Sequence, residues 1–145
     1  MFSPSGVIQA LSLACCALLL FPSNPLQARE QGGKKPSLSL KASPAVSFAP
    51  ARIIVRAEVK GGGNDAEEFY CPTVEWEWGD GTVSTAEADC TPFEPGKSEI
   101  KRQYTVEHQF KNPGNYRILL RLKKGSRLTA SANTTVNVRA GLGQQ

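Results

Sequence analysis

Apolar and polar residues alternate along most of the chain after residue 37. In the clearest run, Ile53, Val55, Ala57 and Val59 fall on one side and polar residues occupy most of the positions between them. A period of two is typical of a β-strand with one buried face. The same alternation occurs in Leu38–Lys41, Val74–Trp78, Ile100–Phe110, Tyr116–Lys123 and Leu128–Val138. These six runs predict an all-β fold, which we expect to be an antiparallel sandwich of seven short strands.

The first 28 residues have a different character. An apolar run extends from Val7 to Phe21 and is followed by Pro22, Pro25 and a small residue, Ala28. The run is shorter than the roughly 20 residues that span a bilayer, so it indicates a signal peptide, residues 1–28, cleaved after Ala28. A retained anchor and a lipid-modified Cys15 or Cys16 are alternatives. We expect a flexible leader at 29–37, one domain at 38–139 and a polar tail at 140–145.

Signal removal would leave two cysteines, Cys71 and Cys90. An exported chain meets an oxidising compartment, which favours a disulfide over two free thiols. The bond would close a loop of about 20 residues and contribute roughly 3 kcal/mol. We therefore expect a protein that is secreted, periplasmic or on the cell surface.

The net charge of +4 is unevenly distributed. Residues 58–99 contain eleven acidic and two basic side chains, whereas residues 101–139 contain nine basic and one acidic. Because the signs are segregated, we do not expect a nucleic-acid partner. Two interpretations remain open: the two charged regions face each other on one sheet, or the basic region binds anionic polymers or lipids.

Two blocks of residues resemble the polycystic kidney disease (PKD) domain family. The first is Trp76-Glu77-Trp78-Gly79-Asp80-Gly81, and the second combines His108, Phe110, Gly114 and Tyr116. The resemblance covers about Leu38 to Val138, with Glu77, Trp78 and Phe110 as departures from the family pattern. It implies an immunoglobulin-like sandwich of the kind found on extracytoplasmic proteins.

That resemblance also implies which strands are neighbours. The strand with Glu75 and Glu77 would lie beside the strand with Arg117 and Arg121, so that opposite charges meet across the pair. The disulfide would connect the start of the first strand to an insertion at residues 85–97. Plain aliphatic residues such as Val55 and Ile118 would occupy the positions of the bridge between sheets in antibody domains.

Two polar residues near the strand ends have alternative interpretations. His108 could serve catalysis only with a nucleophile and an orienting carboxylate, and the resemblance implies instead a structural residue that hydrogen-bonds locally. Asp80 would fix its glycine turn. The alternative is a calcium site that combines Asp80 with carboxylates of the preceding loop, namely Asp65, Glu67 and Glu68.

Several aromatic residues are candidates for ligand contacts. Trp76 lies mid-strand on the inward face, whereas Trp78 abuts the turn, so we expect Trp78 to be partly exposed and less important for stability. Stacking on a sugar or peptide would use the residues near the strand end and the insertion. The candidate ligand-binding residues are Phe69, Tyr70, Trp78, Phe93, Arg117 and Arg121.

These observations predict a monomeric, exported interaction module rather than an enzyme. Its partner would be an extracellular or envelope protein, or a polysaccharide. We expect no cofactor and no transmembrane helix after signal removal. The alternative is a structural or calcium-stabilised adhesion or spacer domain.

Overall fold

The computed structural model describes residues 35–141 and residue 143. The predicted signal peptide, most of the predicted leader and part of the predicted tail lie outside the described residues. The described residues form eight strands and one 3-10 turn, Glu67–Phe69. The strands are β1 (Ser37–Ser43), β2 (Val46–Phe48), β3 (Ala51–Lys60), β4 (Thr73–Glu77), β5 (Val83–Ala86), β6 (Gln103–Phe110), β7 (Gly114–Lys124) and β8 (Arg127–Arg139).

The strands form two sheets. The smaller has the order β1-β3-β6, and the larger has the order β2-β8-β7-β4-β5. The all-β, immunoglobulin-like sandwich predicted from the sequence is confirmed, although the described part has eight strands instead of seven. Within these residues, no helix is long and apolar enough to cross a bilayer.

One strand pair departs from the expected antiparallel arrangement. The chain leaves the smaller sheet after Ser43, and β2 then pairs in parallel with β8 of the larger sheet. Pro44 stands at the crossing, where its missing N–H cannot continue a ladder. Backbone bonds on both sides of β2 secure the new position: Asn137 donates to Ala45 and Ala49 donates to Arg139.

Most strands form where the alternation predicted them, whereas the short strands β2 and β5 were not predicted. In β3 every second residue is buried, including the predicted set that begins at Ile53 and ends at Val59. In β7 the side chains of Ile118, Leu120 and Leu122 are fully buried. Val55 and Ile118, expected as plain aliphatic core residues, are both inaccessible to solvent.

The segment between β5 and β6 determines the shape of one side of the sandwich. Residues 87–102 contain no strand, so the predicted strand from Ile100 begins only at Gln103. This segment connects the edge strand of the larger sheet, β5, to the edge strand of the smaller sheet, β6. On this side the two sheet edges are therefore connected by a segment without regular strand structure.

Candidate functional site

The predicted disulfide is present and fixes one end of the sandwich. Cys71 lies between the 3-10 turn and β4, and its Cα is 6.3 Å from that of Cys90. Cys90 belongs to the strandless segment 87–102. The bond therefore ties the start of β4 to this segment, as the resemblance implied.

His108 connects the two sheets. Its Nε2 lies 2.8 Å from Oδ2 of Asp80, in the turn that follows β4. Thr82 donates to the other carboxylate oxygen from its backbone N–H and its hydroxyl. Burial alone would raise the pKa of Asp80, but the hydrogen bonds from Thr82 and His108 outweigh it and leave the pKa below its usual value. The histidine therefore makes a hydrogen bond that supports the fold, but its partner lies on the other sheet and not nearby in the sequence.

The three ring-bearing residues of the second PKD-like block form a row. The row begins with His108, whose ring is steeply inclined to that of Phe110 with the two centroids 4.8 Å apart, and Phe110 in turn stacks on Tyr116 with the centroids 4.3 Å apart. The Tyr116 hydroxyl donates to the carbonyl of Asn112 at 2.8 Å, which closes the turn before Gly114. The second block therefore supports the turn between β6 and β7.

The expected partial exposure of Trp78 is wrong. Its side chain is 1% exposed, against 4% for Trp76. Its ring lies parallel to those of Trp76, at 5.6 Å, and His108, at 4.1 Å, and its indole N–H donates to Ser84 Oγ at 2.9 Å. The turn at Gly79 and Gly81, both with positive φ, folds the chain back so that β5 covers the strand end. Trp78 is therefore not available as an exposed stacking platform.

The other candidate aromatics lie near the disulfide and differ in exposure. Phe69 is buried, contrary to an exposed binding role. Tyr70 and Phe93 are half-buried and meet edge to face at 5.4 Å. The Tyr70 hydroxyl donates to the Thr91 carbonyl at 3.1 Å, which holds the strandless segment against the loop before β4.

The predicted charge pairing between β4 and β7 is confirmed for one arginine. Arg121 bridges Glu75, at 3.0 Å, and Glu77, at 2.9 Å, and Lys123 also reaches Glu75. Hydrogen bonds from Lys123 and then Arg121 lower the pKa of Glu75, and the bonds to Glu75 and Glu77 raise the pKa of Arg121. Two acidic residues of the first charged region therefore meet two basic residues of the second on the outer face of the larger sheet.

The expected pairing of Arg117 is wrong. In the register of the sheet, Leu119 is already opposite Glu77, the last residue of β4. Arg117 lies beyond that point, where a Cβ on Gly79 would come within 2.7 Å of its carbonyl oxygen. Among the described residues, Arg117 has no carboxylate partner.

The carboxylates of the predicted calcium site do not come together. Asp65, Glu67 and Glu68 precede β4, whereas Asp80 follows it at the opposite end of the strand. In the described part of the chain, no three His, Cys, Asp or Glu side chains are grouped so that they could hold a metal ion. The strand between the two loops is what separates them.

A cleft that sequence reasoning missed opens beside the strandless segment, between the edges of the two sheets. This side cleft has a volume of about 460 Å³ and lies between β4 and β6, with the strandless segment along its rim. Val74 and Trp76 line it from β4, and Tyr104 and Val106 line it from β6. A tyrosine on an inward-facing strand position was visible in the sequence, but its position beside a gap between sheets was not.

Comparison with solved structures places this sandwich in a known fold class. The chain is similar to the PKD domain of an M14-like peptidase from Thermoplasmatales archaeon SCGC AB-540-F20, with 16% identity and a TM-score of 0.50 over 74% of this chain and 98% of that domain. At this identity the likeness concerns the fold alone. Together with the two sheets, it defines an immunoglobulin-like module with a PKD-type fold.

Other solved structures are similar at lower scores. A CARDB domain of the PF1109 protein from Pyrococcus furiosus, solved with di-metal ions, shares 14% identity at a TM-score of 0.47 over 75% of this chain and 96% of that domain. A superoxide reductase from Ignicoccus hospitalis shares 18% identity at a TM-score of 0.41 over 71% of this chain and 80% of that protein. Neither a family model nor a curated protein matches the chain.

Proposed function

We propose that the protein is an exported, non-catalytic interaction module that binds an extracellular or envelope protein, or a polysaccharide. The observation that carries this proposal is the Cys71–Cys90 disulfide within a PKD-type sandwich. Disulfides persist in oxidising compartments and are rare where thiols are kept reduced. A domain of this fold that is crosslinked by a disulfide suits an extracytoplasmic binding role.

The arrangement of the polar side chains supports binding over catalysis. His108, the one histidine of the chain, is hydrogen-bonded to Asp80 and stacked on Trp78. A general base needs a ring nitrogen within reach of a reacting group. Here a carboxylate engages Nε2 and an indole covers one face of the ring, an arrangement that links the two sheets and suits a structural role.

The location can be tested by fractionating cells that express the full chain. We expect the protein in the exported fraction, with the peptides that contain Cys71 and Cys90 linked in non-reducing mass spectrometry. A cytosolic protein with both thiols free would contradict the proposal.

Partner binding can be tested with an immobilised, disulfide-intact protein on a glycan array and against purified envelope proteins. The matched control is the same protein reduced, alkylated and unfolded. We expect saturable binding of the folded protein to one panel. Binding that the unfolded control reproduces, or binding to neither panel, would instead favour the spacer role.

A further inference from the structure

Two positively charged side chains face each other on the outer surface of the smaller sheet. Lys41 of β1 lies directly opposite Arg56 of β3 in the register, and Thr105 of β6 completes the row. Arg56 stands between the buried residues Val55 and Ala57, so its side chain points away from the core, and residues directly opposite it share that face. Lys41 and Arg56 form a cation pair, and both are exposed. Because like charges directly opposite each other destabilise a strand pair, this arrangement is unfavourable by itself.

Carboxylates of the described residues do not relieve this repulsion. Glu58, on the outer face of β3, forms an ion pair with Lys60 at 3.2 Å. Glu107 of β6 forms one with Arg52 at 2.9 Å. The cation pair forms no ion pair within the described part of the chain. The acidic residues of this face thus neutralise other cations, and the two facing cations remain available to an external anion. Departures from a local rule of this kind are expected at functional sites.

The cation pair lies in a concavity of this outer face. The concavity, the outer groove, has a volume of about 410 Å³ and is lined by residues of all three strands of the smaller sheet. Small-molecule sites in proteins have volumes of roughly 300–1,000 Å³. The lining also contains Ser43, Gln103 and Thr105, whose hydroxyl and amide groups suit the hydroxyls of a sugar. Ile54 is the one large apolar side chain of the lining, so a lipid chain would find little apolar surface there.

The charge of the outer groove limits the ligand further. Its charged side chains are the cation pair and Glu58, so its net charge is +1 and one carboxylate balances it. The guanidinium of Arg56 offers a fork of N–H donors that matches a carboxylate, and the ammonium of Lys41 adds a compact positive charge. A phosphate monoester carries about −1.5 to −2 charges at neutral pH and would leave negative charge beside Glu58. The outer groove therefore fits a singly charged acid on a polar body.

We propose that the outer groove binds a uronate, a sugar with one carboxylate, within an acidic polysaccharide. The carboxylate lies between Lys41 and Arg56, and the sugar hydroxyls form hydrogen bonds with the polar groups beside them. This inference rests on the proposed function, because it assigns the polysaccharide alternative of that function to one surface.

The test compares two probes that differ in charge. Trigalacturonate carries a carboxylate on each of its sugar rings, and its methyl ester has the same sugar skeleton without charge. Each probe is titrated calorimetrically into the full, disulfide-intact chain and into the double variant Lys41→Gln/Arg56→Gln. The matched control is Arg127→Gln/Arg139→Gln, which removes two exposed positive charges at the ends of β8 in the larger sheet. The salt concentration is about 0.15 M, at which exposed charges more than about 8 Å apart are largely screened.

We expect trigalacturonate to bind the wild type and the control variant with affinities that agree within about threefold. Loss of charge-assisted hydrogen bonds to a carboxylate should weaken binding to Lys41→Gln/Arg56→Gln at least about tenfold. The methyl ester should bind the wild type at least about tenfold more weakly than trigalacturonate, for the same reason. Equal binding of the two probes, equal affinity of the wild type and Lys41→Gln/Arg56→Gln, or no binding of trigalacturonate would overturn the proposal.

Further measurements separate failure of this site from failure of the proposed function. Saturable binding of a neutral glycan or an envelope protein, without binding of trigalacturonate, would refute the outer groove and leave the proposed function standing. A cytosolic protein with free thiols would refute the proposed function, whatever the result with trigalacturonate. Phosphatidylglycerol vesicles test a lipid headgroup, and we expect no sedimentation of the protein with them. Sedimentation that is lost in Lys41→Gln/Arg56→Gln, together with no binding of trigalacturonate, would assign the cation pair to lipid and overturn the proposal.

Thermal unfolding gives a second, independent readout. Arg56→Gln removes the repulsion from Lys41, so the melting temperature of the free protein should rise by about 1–4 °C in about 10 mM salt, and by less in about 1 M salt. Trigalacturonate should raise the melting temperature of the wild type and leave that of Lys41→Gln/Arg56→Gln unchanged. A lower melting temperature for Arg56→Gln at low salt would show that Arg56 already stabilises the fold through another group, and would also refute the proposal.

Discussion

Replacement of Trp78 by alanine should destabilise the protein at least as much as replacement of Trp76. Both side chains are buried, but the side chain of Trp78 is the less exposed of the two. Its ring stacks against the rings of both Trp76 and His108. Its indole N–H also donates to Ser84. The alanine variant loses all these contacts together.

The magnitude follows from the contacts. Truncation of a buried tryptophan typically costs about 3–5 kcal/mol. Each aromatic pair contributes about 0.5–1.5 kcal/mol and the hydrogen bond about 1 kcal/mol, with overlap between these terms. We therefore expect a loss of about 4–5 kcal/mol for Trp78→Ala and about 3–4 kcal/mol for Trp76→Ala, which borders the side cleft.

Urea unfolding followed by circular dichroism measures both losses. With a slope of about 2 kcal/mol per M urea, the midpoint of Trp78→Ala should fall by about 2 M. Ser84→Ala is the matched partial variant, because it removes only the acceptor of the indole N–H and should cost about 1 kcal/mol.

A clearly smaller loss of free energy of unfolding in Trp78→Ala than in Trp76→Ala, at an unchanged slope, would contradict this expectation. That outcome would mean that the end of β4 opens easily and that the ring stacks contribute little. A Ser84→Ala loss equal to that of Trp78→Ala would also contradict it, since one hydrogen bond would then account for the whole effect.

Three further predictions concern the disulfide and the charged groups. Replacement of Cys71 and Cys90 by alanine should cost about 3 kcal/mol in urea unfolding, and the same loss from reduction of the wild type is the control. Arg121→Glu should lower the melting temperature by several degrees, and less in 1 M salt, because it repels two carboxylates. The control Arg117→Glu should have little effect; equal losses would contradict the register. The pKa of Asp80 is lower in the folded protein than in the unfolded chain, where it is about 3.9. Its contribution to the free energy of unfolding is therefore fully present above the unfolded pKa and is lost as pH falls through the folded pKa. Asp80→Asn should therefore be less stable at pH 6 and show a weaker acid dependence below pH 4, and an unchanged acid profile would argue against this assignment.

The sequence by itself determined the fold class and most strand positions. Alternation in β3 and β7 follows directly from the two faces of a strand, so buried residues such as Val55 and Ile118 could be identified without coordinates. The disulfide needed only two cysteines and the assumption of an oxidising compartment.

Only the tertiary structure decided which side chains are covered by distant parts of the chain. Trp78 appeared exposed because it ends a strand, yet β5 and His108 of the other sheet enclose it. Arg117 appeared equivalent to Arg121, yet the register places it past the end of β4. The side cleft depends on how the edges of the two sheets are placed beside each other. Local alternation reports which way a side chain points, whereas burial and pairing depend on contacts between segments far apart in sequence.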